Sequence, residues 1–149
     1  MKKTFTVVAV VLAFGAVAAF AGTISIPQFN DRGGQTSPST LFSADYQATW
    51  ITVTNVTDTD KVITINYYLL NGTPDGTSTW LMGAKKAVSW RPVAVDTNEA
   101  DAIPSPSTSI GPGWCQILYP GTAADVCGRV FQNSAATQTS FGFTLMPYD

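Results

Sequence analysis

Histidine is missing from this chain of 149 residues. Its absence removes the usual general acid or base near neutral pH and the commonest metal ligand. Serine triads and cysteine–histidine dyads are excluded with it, and zinc catalysis nearly so. Glutamate is almost missing as well: Glu99 is the single copy. The paired carboxylates of a glycoside hydrolase are therefore not expected. Charge is scarce, at 12% of residues, and the basic residues are scattered as Arg32, Lys61, Lys85, Lys86, Arg91 and Arg129, apart from Lys2 and Lys3. There is no basic stripe for nucleic acid or for an anionic lipid surface. No amphipathic helix of any length is visible, and no internal repeat.

The most informative stretch that is present lies at the start. Lys2 and Lys3 precede an uncharged apolar run from Phe5 to Val17, and Ala19-Phe20-Ala21 supplies the small-residue A-x-A pattern of a signal-peptide cleavage site. The run falls short of the roughly 20 residues of a membrane span and has no basic stop-transfer cluster after it. It predicts export, with residues 1–21 a signal peptide and residues 22–149 the working domain. Membrane contact is then transient, and the destination is secreted, extracellular or periplasmic. Loss of Lys2 and Lys3 takes the formal charge from −2 to about −4.

A domain of that length can bury a core. Its abundance of Thr, Ser and Asn suits an extracellular β-protein with hydroxyl-rich outer faces. Period-two alternation marks strands at Thr23–Phe29, Ala48–Asn55, Val62–Leu70, Thr79–Met82, Ala87–Val93, Trp114–Tyr119, Val126–Gln132 and Ser140–Met146. In Ala48–Asn55, Trp50, Thr52 and Thr54 share one face, with Thr49, Ile51 and Val53 on the other. Pro27 places the first strand at an edge, because proline cannot donate to a ladder. Turn residues separate the strands at Asn71-Gly72, Pro74-Asp75-Gly76 and Pro120-Gly121, and Ala94–Gly113 reads as a long loop. The expected architecture is all-β: a single antiparallel sandwich of about seven to eight strands with an immunoglobulin-like Greek key.

Residues 48–72, ATWITVTNVTDTDKVITINYYLLNG, resemble the strand–turn–strand opening of bacterial secreted immunoglobulin-like sandwiches, and VSWRPVAVDTNEA at 88–100 resembles their continuation. The resemblance implies a fold. No site is assigned to that pattern, so it carries no functional residue.

Four candidate features follow. Cys115 and Cys127 form an even pair in an exported chain, which reads as a disulfide. A hairpin centred on Gly121 sets the two directly opposite each other, and a bridge closing that loop would stabilise the fold by about 3 kcal/mol. Trp50, Trp80 and Trp90, with Arg91, are candidate ligand contacts, since flat aromatic rings stack against the C–H faces of sugars; the competing role for each is core packing or, for Arg91, a cation–π contact within the fold. Trp50, on the Thr-rich face of its strand, is the one expected to be exposed. Asp96, Asn98, Glu99 and Asp101 supply oxygen atoms of the kind calcium takes, though without the glycine and distal glutamate of a calcium loop. Thr23, Ile24, Ile26 and Phe29 mark a terminal strand fit either to close its own sheet or to add to a neighbour's edge. No cofactor or resident metal is expected. The function expected is a non-catalytic structural or interaction role at or outside the cell surface. Its partner would be the protein itself, in an oligomer or filament, or an extracellular glycan bound on exposed tryptophans.

Overall fold

The computed structural model describes residues 20–31, 47–92, 111–134 and 139–148. Eight strands run in chain order: β1 (Phe20–Asp31), β2 (Gln47–Asn55), β3 (Lys61–Leu69), β4 (Pro74–Met82), β5 (Ala87–Trp90), β6 (Gly111–Pro120), β7 (Val126–Ser134) and β8 (Thr139–Leu145). They form two antiparallel sheets of four, in the orders β1-β6-β3-β4 and β5-β2-β7-β8. The chain is an all-β sandwich. Strands β3 and β4 form a hairpin, β5 rolls onto the opposite sheet, and β6 returns to lie beside β3, which is a Greek-key path.

The alternation in the sequence dictates which residues meet between the sheets. Ile24, Ile26 and Phe29 of β1, Ile63, Ile65 and Tyr67 of β3, and Cys115, Ile117 and Tyr119 of β6 face inward from one sheet. Ile51, Val53, Val88, Trp90, Val126, Val130 and Leu145 face them from the other. Fully burying aliphatic side chains such as these stabilises a fold by about 1.5–3 kcal/mol each. Two hydrogen-bonded groups reach across this core. The Trp90 indole N–H donates to the Tyr67 hydroxyl across the sheets at 2.6 Å. Thr49, on the inner face of β2, accepts from the Asn30 amide at 2.9 Å and donates to the Asn30 carbonyl at 3.0 Å. Its hydroxyl thereby ties the end of β1 to the facing sheet.

At one end of the sandwich two arches lie side by side. The β2–β3 arch is organised by buried Asn55, which donates to the carbonyls of Thr59 and Gly83 and accepts from the Thr57 amide and hydroxyl. The β6–β7 arch contains a short 3-10 turn, Ala123–Asp125. The Val56 amide donates to the Asp125 carbonyl. Lys61 donates to the Asp125 carboxylate at 2.9 Å and to the Pro120 carbonyl at 3.0 Å. That Lys61 hydrogen bond and one from Thr122 hold the Asp125 carboxyl below its ordinary range. Gly121 is needed here: its φ is +112°, and a Cβ at this position would lie 2.0 Å from the Asp125 carboxylate.

This arch corrects one expectation. Pro120-Gly121 is not a hairpin turn, because β6 pairs with β1 and β3 while β7 pairs with β2 and β8. The 3-10 turn Ala123–Asp125, capped by Thr122, carries the chain across to the other sheet. Cys115 then points into the core and Cys127 points out to solvent, and both are free thiols. The cross-strand disulfide is therefore absent. A second difference is at β4, which begins at Pro74, five residues earlier than the alternation suggests. A register shift opposite Tyr67 and Tyr68 absorbs the irregular start, and Gly76 adopts the positive φ found there.

Candidate functional site

The outer face of the β5-β2-β7-β8 sheet is a grid whose rows follow from the pairing register. One row runs Trp50, Phe131, Gly142; the next runs Ser89, Thr52, Arg129, Thr144; the third holds Ala87, Thr54 and Cys127. Trp50 and Phe131 are directly paired across β2 and β7, with ring centroids 5.7 Å apart and planes inclined at 47°. Trp50 is half-buried and Phe131 is exposed. Gly142 offers no side chain opposite Phe131, and a Cβ there would lie 3.7 Å from the Phe131 ring. Beside the rings the hydroxyls of Thr52 and Ser89 are 3.1 Å apart. Together with Arg129 and Ala87 these groups line a shallow groove of about 610 Å³.

Arg91 supports this face from behind. It is 1% exposed and binds Asp31, itself fully buried, through Nε at 3.1 Å and the second guanidinium nitrogen at 2.5 Å. The fork-to-carboxylate geometry fixes the guanidinium plane. Its carbon lies 5.7 Å from the Trp50 ring centre, within cation–π range. Asp31 ends β1 of one sheet and Arg91 follows β5 of the other, so the pair also ties the sheets together. Arg91 is thus a structural partner of Trp50 and not a ligand contact.

The remaining tryptophans divide. Trp90 is fully buried and bonded to Tyr67, which overturns its candidacy for ligand contact. Trp80 points inward from edge strand β4 and packs half-buried against the core. It lines a smaller groove of about 230 Å³ between β4 and β5, with Asp60 and Lys86 at its rim. Trp114 stacks on Tyr68 on the outer face of the other sheet, at 4.1 Å and 13°. Of the residues singled out for binding, Trp50 alone reaches an open, aromatic-lined surface. Phe131, Arg129, Thr52 and Ser89 join it without a signal in the sequence of their own. The alternation of VCGRVFQ places Arg129 and Phe131 on one face, but only the β2–β7 pairing brings that face to Trp50.

The calcium candidates Asp96, Asn98, Glu99 and Asp101 lie outside the described residues, as does the signal segment up to Ala19. Among the described residues no three of His, Cys, Asp and Glu cluster closely enough to hold a metal. The candidate assembly strand is docked in its own domain: Thr23, Ile24 and Ile26 pair with β6, and a two-bond bridge joins Thr23 to Tyr148 on the other side. β1 does lie at a sheet edge, as Pro27 requires, with its register broken between Ile26 and Phe29. Cys115 is inert, because burial pushes its thiol up and keeps it protonated.

No protein-family model matches the chain, and no curated protein matches its sequence. Among solved structures, the crystal structure of Thermotoga maritima 1070 is similar over 87% of this chain and 95% of its own, with a TM-score of 0.52 and 12% identity. At that identity the likeness is one of fold: the sandwich recurs with almost none of the sequence retained.

Proposed function

We propose that this protein is an exported, non-catalytic β-sandwich that acts at or outside the cell envelope by binding, with an extracellular glycan held on the outer groove of the β5-β2-β7-β8 sheet. The observation that carries the reading is the Trp50–Phe131 pair on a hydroxyl-lined outer face. Pyranose rings present C–H faces that pack on such rings, while their hydroxyls exchange hydrogen bonds with Thr52 and Ser89. The pair faces solvent, away from the sandwich core, and Arg91 holds Trp50 in place. The lack of histidine and the single glutamate favour binding over catalysis. The basic start, apolar run and A-x-A pattern supply the export half of the proposal.

The test is retention on immobilised polysaccharides by the secreted protein, whose N-terminal sequence should begin Gly22-Thr23-Ile24. Trp50→Ala is expected to abolish retention with little change in melting temperature. Retention unchanged in Trp50→Ala and in Phe131→Ala would end the glycan reading. Intact Met1 in membranes would end the export reading.

One observation favours self-assembly as a second reading. No described strand pairs with the outer edge of β4. After Pro74 this strand carries neither lysine nor proline to discourage pairing, and Leu81 on it is 63% exposed. Light scattering that finds oligomers in the wild type and monomers in Leu81→Lys would support it. A wild type that stays monomeric across concentration would exclude it.

A further inference from the structure

We infer that the ligand of this groove is an acidic saccharide, one whose rings carry carboxylates, and that Arg129 is the residue that selects it. The inference rests on the glycan reading above and narrows it to a ligand class. Three cations among the described residues have an aspartate partner: Lys61 with Asp125, Lys85 with Asp58, and Arg91 with Asp31. Arg129 forms no ion pair among them. It is exposed and lines the groove, directly opposite Thr52 on β2 and one row from the Trp50–Phe131 pair. No aspartate or glutamate projects from the described strands of this face. In a chain of formal charge −2 the groove is therefore a locally cationic, carboxylate-free surface.

The placement fits the ligand. Adjacent outward rows on one strand are about 7 Å apart, so a ring stacked on Trp50 and Phe131 brings its substituents over the Thr52–Arg129 row. A guanidinium offers a planar fork that matches a carboxylate with two parallel hydrogen bonds. Neutral sugars would use the rings and hydroxyls alone and leave that fork in water. Arg91 does not duplicate the role, because Asp31 already occupies its fork in the interior.

The experiment compares binding of an oligogalacturonate with its fully methyl-esterified form, which keeps the rings and removes the charge. Isothermal titration at low salt with the mature protein reads both affinities. The wild type is expected to bind the acid form about 10-fold more tightly, as one charge-assisted contact implies. Arg129→Gln is expected to bind both forms equally, at the affinity of the ester. Arg129→Lys should recover part of the preference, since it restores the charge without the fork. Trp50→Ala should lose both forms. Equal wild-type affinity for the two forms, with Trp50 still required, would overturn the acidic-ligand inference and leave the glycan reading standing. A preference that survives in Arg129→Gln would overturn the role of Arg129. Binding of neither form by the wild type would overturn both.

Discussion

Replacing Asp31 by alanine is expected to weaken the fold and the proposed binding face together. Asp31 and Arg91 are both essentially inaccessible to solvent, and their side chains meet across the two sheets through a bidentate contact. Removing one member of a buried pair leaves the other charged in a medium that solvates it poorly, which costs about 3–5 kcal/mol. A domain of this size shifts its melting temperature by roughly 3–6 °C per kcal/mol, so a drop of about 10–30 °C is expected. Replacing both members with apolar residues of similar size, as in Asp31→Leu with Arg91→Met, removes the stranded charge and should recover most of the loss. Arg91 also sits 5.7 Å from the Trp50 ring, so glycan retention should fall in the double variant although its stability returns. Thermal melts followed by circular dichroism read the first quantity, and retention on polysaccharide reads the second. An Asp31→Ala protein that melts within about 3 °C of the wild type would refute the reasoning about the buried pair.

Tyr67→Phe removes the acceptor for the buried Trp90 N–H and is expected to cost about 1–3 kcal/mol in urea unfolding; unchanged stability would mean that the hydrogen bond across the core contributes nothing. The Lys61–Asp125 contact should give stability a step in acid. The folded carboxyl titrates below its ordinary value of 3.8, so its contribution is complete above that pH and is lost as the pH falls through the lower folded value. Urea midpoints between pH 2 and 6 should show the step in the wild type and a smaller one in Asp125→Asn. The two thiols should differ in access: a maleimide is expected to label Cys127 in the native protein and Cys115 only after unfolding, and linked peptides in non-reducing mass mapping would contradict the buried placement of one thiol and the exposed placement of the other.

Much of the sandwich is legible in the sequence, because period-two alternation fixes which side of each strand is buried. ATWITVTN and VITINYYLL show it plainly: Ile51, Val53, Ile63 and Ile65 are all inside. Pro27 likewise signals an edge, since a missing donor is a local property. What was not legible is which strand pairs with which. Pro120-Gly121 has the chemistry of a tight turn whether the chain folds back in its own sheet or crosses to the other, and the disulfide expectation failed on that ambiguity. The same gap hid most of the candidate site. Trp50 could be placed on an outer face from its own strand, but Phe131 and Arg129 join it only through the β2–β7 register. Arg91 misled for another reason. Its neighbours in sequence, Trp90 and Pro92, say nothing about Asp31, which lies 60 positions away.

The claim that the outer face of the β5-β2-β7-β8 sheet is the binding surface is tested most directly by mapping amide and indole resonances in ¹⁵N-labelled protein as an oligogalacturonate is added. The account predicts shifts at Trp50, Thr52, Ser89, Arg129 and Phe131, with the Tyr68–Trp114 stack on the opposite sheet unmoved. Shifts centred on Tyr68 and Trp114, or no shifts on either face at saturating saccharide, would contradict it.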